Sequence, residues 1–308
     1  MSVAILFSQK SSEEWQQKLS ELLPETKVEV YPEIENPNDV EFIVTWKPHI
    51  DYVTDFPNLK VVQSIGAGID HLLHTEIPEN IKVTRIVDPA LKQDMYEHVL
   101  ACIMASMKNL MPYQQFQFEQ DWKPLTYRSI NETTVTILGL GEIGLLVAEK
   151  LVALGFKVKG WSNSEKNSEG VESFAGENEL SSAISNTDFI VNILPLTNET
   201  ESILNTNFFN QCADNTVLIN VGRGAHLVEN NLVKAIENGK IKEAYLDVFR
   251  EEPLPKNHPF WTNRQIFVTP HIASVTNATT ALVQVVDNYK NMLKDQPLLN
   301  EVSLKRGY

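Results

Sequence analysis

The sequence predicts an α/β protein made of two doubly wound parallel-sheet domains with a cleft between them. Three observations carry that expectation. Apolar runs of strand length alternate with helix-period stretches along the whole chain, as in parallel sheets covered by helices. The alternation then starts over near residue 134, after a long helical stretch. The chain has 308 residues, too many for one ordinary domain and suited to two of about 100–200 residues each.

The first series reads as strand 3–8, helix 13–23, and strands 27–31, 41–46, 60–65 and 82–87. A long amphipathic helical stretch follows from Met95 to about Gln120, bounded by Pro124. The second series reads as strand TVTILG, helix 142–154, strand KVKGWS, a helix near 179–186 and strand DFIVNILP. It continues with a helix near 205–212, strand TVLINVG, helix 228–238, and strands EAYLDVF and IFVTPHI. A final helix over about 276–294 begins after that sheet is complete, so it is expected to cross back onto the first domain. The domains are therefore drawn as 1–98 plus 272–308 and as 99–271.

Composition narrows the function classes. Hydrophobic residues make up 43% and charged residues 21%, the profile of a globular chain with a real core. No apolar run approaches the roughly 20 residues that span a bilayer. The opening MSVAILFSQK lacks a basic n-region and a cleavage site, so VAILF reads as a buried strand. Cys102 and Cys212 are far apart and match no metal or redox spacing, which points to a reduced, cytoplasmic protein without a metal. The net charge of −14 argues against nucleic acid or an anionic membrane as partner. An anionic substrate would need a local cationic pocket that overrides this field.

Strand TVTIL feeds directly into Gly139, Leu140, Gly141, Glu142, Ile143 and Gly144, and a helical pattern follows. In such a GxGxxG turn the first glycine permits the bend. The second lets the backbone approach a pyrophosphate, and the third lets the helix pack on the sheet. Free amides at the helix start then favour the phosphate charge. Three further strand ends bear ionisable groups: Arg223 after TVLIN, Glu251 and Glu252 after EAYLDVF, and His271 after IFVT. Reduction of a 2-oxo acid needs a proton for the developing alkoxide, which histidine suits. It also needs a cation on the carboxylate, which suits arginine's rigid fork.

GLGEIG, ILPLTNET, INVGRG, LDVFREEPLP and TPHIA, in this order and spacing, resemble the D-isomer-specific 2-hydroxyacid dehydrogenases over the whole chain. SIGAGIDHLL, DWKPL, GVESFAG, HPFW and the terminal KRGY are similar to the glyoxylate/hydroxypyruvate reductase A branch. The resemblance implies a flavodoxin-like substrate domain and a Rossmann cofactor domain; a homodimer is expected from the helical stretch 95–120 itself, whose amphipathic run of Met, Phe and Gln offers a surface for a second copy. It implies His271 as acid/base, Glu252 as its carboxylate partner and Arg223 as substrate clamp. Asp247 matches a residue facing the nicotinamide carboxamide. Leu194, Pro195, Thr200, Val221, Gly222 and Ala273 fall among the segments lining the cofactor. Trp46 and the backbone of Gly66, Ala67 and Gly68 match a substrate pocket, the loop reading as an anion nest after strand KVVQSI. Met95, His71, His74, His98 and His258 are read as packing or solvated residues.

The resemblance places WSNSEK at the adenosine ribose, where an acid would bind the hydroxyls and repel a 2′-phosphate. Ser162, Asn163 and Ser164 are neutral donors and Lys166 a cation, although Glu165 is close and Asn163 stands where the branch carries Arg. NADP is therefore expected with a modest preference over NAD. The expected reaction is reduction of glyoxylate and hydroxypyruvate, with a D-lactate-type or broader 2-ketoacid reductase, or a dinucleotide-sensing binding protein, as alternatives.

Overall fold

The computed structural model describes residues 1–8, 11–48, 50–72 and 76–302. The chain divides into two compact units: Met1–Leu91 with the chain from Thr276 onward, and Lys92–Val275. The sequence reading had drawn the crossings at 98/99 and 271/272.

The first unit contains strands β1 (Ser2–Phe7), β2 (Lys27–Val30), β3 (Val40–Trp46), β4 (Val61–Ser64) and β5 (Lys82–Thr84). They form one parallel sheet in the order β2-β1-β3-β4-β5, the flavodoxin order. A parallel sheet needs cover on both faces. On one face, Val3, Ile5 and Val44 pack with Trp15 and Leu19 of helix α1 (Glu13–Leu22) and with Ala281, Leu282 and Val285 of α9 (Ala278–Leu293). On the other face, Ala4, Leu6, Ile43 and Val62 meet Tyr52 of the short helix α2 (Tyr52–Asp55), Phe56 and Leu72. Neighbours 3 and 4 point to opposite faces because strand side chains alternate with a period of two.

The second unit holds β6 (Thr134–Leu138), β7 (Lys157–Ser162), β8 (Val171–Ala175), β9 (Phe189–Asn192), β10 (Thr216–Asn220), β11 (Ile241–Leu246) and β12 (Ile266–Val268). All pair in parallel, in the order β12-β11-β10-β9-β6-β7-β8. The chain runs outward from β6 in one direction and from β9 in the other. Such a reversal point opens a crevice at the carboxyl ends of the strands, where ligands bind in open α/β sheets. Helices α5 (Glu142–Ala153), α6 (Leu180–Ile184), α7 (Thr206–Gln211) and α8 (Glu229–Glu237) connect the strands. Val135, Ile137, Val191 and Ile219 pack with Val147 and Leu151 of α5 on one face, and Leu138, Ile190 and Leu218 with Phe208, Phe209 and Leu232 on the other.

Two expectations are corrected. The stretch read as one helix over 95–120 is two helices, α3 (Pro89–Met107) and α4 (Leu110–Glu119). Asn109 between them has φ +53°, in the left-handed region that asparagine tolerates better than most residues, and its side chain donates to the Thr126 carbonyl at 3.0 Å. Helix α3 buries Met95, Val99, Cys102, Ile103 and Met107, whereas α4 buries no residue. Strand β8 was not expected, because VESFA lies at the sheet edge and buries no residue fully. Among the described residues no helix is long and apolar enough to cross a membrane.

Candidate active site

The phosphate-type turn is built by contacts that only glycine allows. Gly139 sits at φ +104°, and a Cβ on Gly144 would lie 1.8 Å from the Gly139 carbonyl oxygen. Nothing lies within 4 Å of where a Cβ on Gly141 would stand. That open, side-chain-free space over the start of α5 is a cradle for a diphosphate, with the amides of the first helical turn unclaimed by the helix itself. Residues 139–144 therefore fit the dinucleotide that the fingerprint implies. Exposed Glu142 would oppose phosphate charge, and it is ion-paired to Lys92 of α3, whose side chain is only 18% exposed. Sequence reading missed Lys92, which is 50 residues away.

The ionisable groups follow three adjacent strands, β10, β11 and β12. Glu252 Oε2 lies 2.9 Å from His271 Nδ1, while Glu252 Oε1 accepts from the Phe249 amide at 3.1 Å. The carboxylate is thereby fixed at both oxygens, and the Nδ1 contact orients the ring and leaves Nε2 for chemistry. Neighbouring Glu251 is exposed. His271 has φ +55°, a conformation costing about 1–2 kcal/mol for a non-glycine residue. Buried Asp247 holds that turn in place. Its carboxylate accepts from Thr269 Oγ1 at 2.6 Å and from the amides of Ile272 and Ala273 at 2.9 and 2.8 Å. Asp247 was expected at the nicotinamide carboxamide; the contacts seen are to the His271 turn. Burial holds the nearby His98 imidazole below its ordinary pKa, against the opposing charge of Asp247.

Arg223 stands between two glycines that cannot be replaced without movement. A Cβ on Gly224 would come within 1.9 Å of the Phe249 carbonyl carbon. The Arg223 guanidinium donates from Nη1 to the Gly222 carbonyl at 2.8 Å. Leu194 and Val221 are buried beside this turn, and Thr200 Oγ1 donates to the Pro195 carbonyl at 2.7 Å, closing the loop over 195–200. At the far end of the rim, Asn163, Ser164 and Lys166 are exposed. Ser162 differs from expectation: it is buried, and its hydroxyl donates to the Ser164 carbonyl at 2.7 Å, so it does not face outward.

In the first unit, the first amide of the loop after β4 is spent within the loop itself. The Gly66 amide donates to Ser64 Oγ at 3.1 Å, and Gly66 has no left-handed φ. Its lack of a side chain is required instead by Trp46, whose Cζ3 would lie 2.4 Å from a Gly66 Cβ. Ala67 and Gly68 are half-buried beside it, and Arg85 Nη1, a cation the sequence reading did not name, donates to the Ala67 carbonyl at 3.2 Å. His71 packs its ring on Trp46 with centroids 4.6 Å apart. His258 ties to Glu229 at 3.3 Å and accepts from the Phe260 amide. His74 and the KRGY motif lie outside the described residues. Cys102 and Cys212 are free and buried, and burial pushes each thiol pKa up to about 12. Among the described residues no His, Cys, Asp or Glu cluster could hold a metal ion.

His226 is the largest omission of the sequence reading. It is fully buried, and its two ring nitrogens contact Asn192, the Arg223 amide and the Pro195 carbonyl.

The sequence profile for the NAD binding domain of D-isomer specific 2-hydroxyacid dehydrogenases matches residues 100–273. The glyoxylate/hydroxypyruvate reductase A of Serratia proteamaculans is 36% identical over 305 residues, covering 97% of each chain. The structure of a D-isomer specific 2-hydroxyacid dehydrogenase from Xanthobacter autotrophicus Py2, in complex with NADPH and MES, aligns with a TM-score of 0.94 and 34% identity, covering 100% of this chain and 99% of that one. The NADPH-dependent glyoxylate/hydroxypyruvate reductase of Sinorhizobium meliloti, in complex with NADP and sulfate, aligns with a TM-score of 0.92 and 33% identity over 100% of both. With the phosphate turn and the ordered strand-end groups in place, this chain belongs to the D-isomer-specific 2-hydroxyacid dehydrogenases.

Proposed function

We propose that this protein is an NADPH-preferring reductase of short 2-oxo acids, converting glyoxylate to glycolate and hydroxypyruvate to D-glycerate. The observation that carries the reading is the Glu252–His271 pair at 2.9 Å, one strand over from the strand that bears Arg223, on the rim of a dinucleotide-type sheet. The order of stations along that rim suits an extended dinucleotide. Adenosine-end residues follow β7, the phosphate turn follows β6, the 195–200 loop follows β9, and the ionisable groups follow β10, β11 and β12. The bound nicotinamide supplies the hydride. Arg223 grips the 2-oxo acid carboxylate with two parallel N–H donors, and His271 delivers the proton from Nε2 to the carbonyl oxygen. Glu252 keeps the ring in place, and Asp247 keeps its backbone in place. Trp46 and residues 66–68 of the first unit are assigned to the substrate.

The NADPH preference rests on the absence of an acid over 162–164 and on exposed Asn163, Ser164 and Lys166. Two similar proteins were solved with NADPH or NADP. With Glu165 adjacent, the preference is modest, about tenfold in kcat/KM, the low end of what one charge-assisted hydrogen bond contributes. The test is turnover of purified protein with glyoxylate, hydroxypyruvate and pyruvate, each against NADPH and NADH. Faster turnover with NADH overturns the cofactor assignment. Pyruvate as best substrate points to the D-lactate-type alternative, and no turnover at all to a sensor.

We also assign a homodimer formed through α4. This helix and the segment after it expose Leu110 at 54%, Phe118 at 81%, Trp122 at 98% and Tyr127 at 65%. Four large apolar side chains exposed within 18 residues of chain favour this segment as the contact surface. Sedimentation at micromolar concentration is expected to show a dimer, and Phe118→Glu combined with Trp122→Glu a monomer. A monomeric wild type refutes the assignment. Buried, free Cys102 and Cys212 support a reducing, cytoplasmic setting.

A further inference from the structure

The ends of β9 and β10 are joined by three fully buried polar side chains, Asn192, Asn220 and His226. Burial of such groups is costly unless each finds partners, and here the partners form one connected set. Asn192 Nδ2 donates to Asn220 Oδ1 at 2.8 Å and to His226 Nδ1 at 2.9 Å, while Asn192 Oδ1 accepts from the Leu194 amide at 3.3 Å. Asn220 Oδ1 also accepts from the Gly222 amide, and Asn220 Nδ2 donates to the Arg223 carbonyl, both at 3.3 Å. His226 Nδ1 accepts from the Arg223 amide at 3.2 Å, and Nε2 lies 3.2 Å from the Pro195 carbonyl oxygen.

The partners fix the histidine's tautomer. The Arg223 amide can only donate, so Nδ1 accepts; the Pro195 carbonyl can only accept, so Nε2 carries the proton. Both backbone polar groups of Arg223 are therefore gripped by this trio. The same ring holds the carbonyl on which Thr200 closes the 195–200 loop. There is no slack around it, since a Cβ on Gly222 would lie 3.0 Å from Asn192 Nδ2 and 3.2 Å from His226 Nδ1.

We propose that His226, anchored by Asn192 and Asn220, is a positioning residue that sets the Arg223 turn and the 194–200 loop as one piece. Its Nδ1 serves the arginine side and its Nε2 the dinucleotide side. This deepens the reductase reading and rests on it for the roles of the two loops.

Two substitutions separate the two nitrogens, because an asparagine amide stands near the place of Nδ1 and a glutamine amide near that of Nε2. His226→Asn keeps an acceptor for the Arg223 amide and loses the bond to Pro195. The NADPH dissociation constant, from titration of cofactor fluorescence, is expected to rise about tenfold, the worth of one hydrogen bond, while the glyoxylate KM stays within about twofold. His226→Gln is expected to do the reverse, lowering kcat/KM for glyoxylate about tenfold with NADPH affinity within about twofold. Equal effects of both variants on both quantities, or a lowered Tm with neither quantity moved, overturn the proposal and leave a purely structural histidine. If neither variant folds, Asn192→Ser must weaken both NADPH binding and glyoxylate turnover, and unchanged values overturn it. Wild-type protein that binds NADPH but turns over no 2-oxo acid would sink the reductase reading alone. The fluorescence titration would still decide the cofactor half, where equal NADPH affinities for His226→Asn and His226→Gln count against the positioning role.

Discussion

His271→Ala is expected to lower kcat for glyoxylate by about 10³-fold, within the range that a positioned general acid contributes, and to leave NADPH affinity within about twofold. The expectation follows from how the ring is held. Nδ1 is committed to Glu252 Oε2 at 2.9 Å, and Glu252 is itself fixed by the Phe249 amide, so Nε2 is the nitrogen left for proton transfer. The backbone has little reason to collapse in the variant. Asp247 binds the amides of Ile272 and Ala273, not the imidazole, so these contacts remain in the variant and oppose the left-handed strain of about 1–2 kcal/mol that alanine carries there. Stopped-flow turnover and a cofactor titration check both halves. An unchanged kcat, or a loss matched by weakened NADPH binding, removes the acid/base role.

Arg223→Lys is the second large effect. It keeps the charge and discards the fork, so kcat/KM for 2-oxo acids is expected to fall by about 10- to 100-fold, the worth of a charged hydrogen bond. NADPH affinity should change little, because the Arg223 backbone is held by Asn220 and His226 whatever its side chain. A lysine in this place still neutralises the carboxylate, so much of the loss should be in kcat, where the geometry of the carbonyl matters. Steady-state kinetics with glyoxylate read the result, and kcat/KM within about twofold of wild type would sink the clamp, since loss of a bidentate contact cannot be silent.

Much of the molecule was legible from residue order. Strands and helices announce themselves by period, and the 139–144 turn by glycines whose need is local: a left-handed φ at Gly139 and a carbonyl against Gly144. The break between α3 and α4 was missed although residue order carries a signal for it: Pro112 has no amide for the Lys108 carbonyl and so fits the first turn of a new helix, and Asn109 takes the left-handed backbone that separates the two. Gly66 was assigned to a nest on the logic of unshielded amides, yet the Trp46 ring, 20 residues earlier in the chain, is what forbids a side chain there. Ser162 looked like a ligand donor and turned out to close its own loop.

The sequence by itself determined the two parallel-sheet units, the phosphate turn and the residue types of the chemistry, since each is encoded in a stretch of a few residues with a fixed period or spacing. Only the tertiary structure decided which groups work together. Glu252 meets His271 across 19 residues, Asn192 meets His226 across 34, and Lys92 meets Glu142 across 50. Parallel pairing sets the ends of distant strands side by side, and a buried polar group must find its hydrogen-bond partner among whatever that pairing brings near.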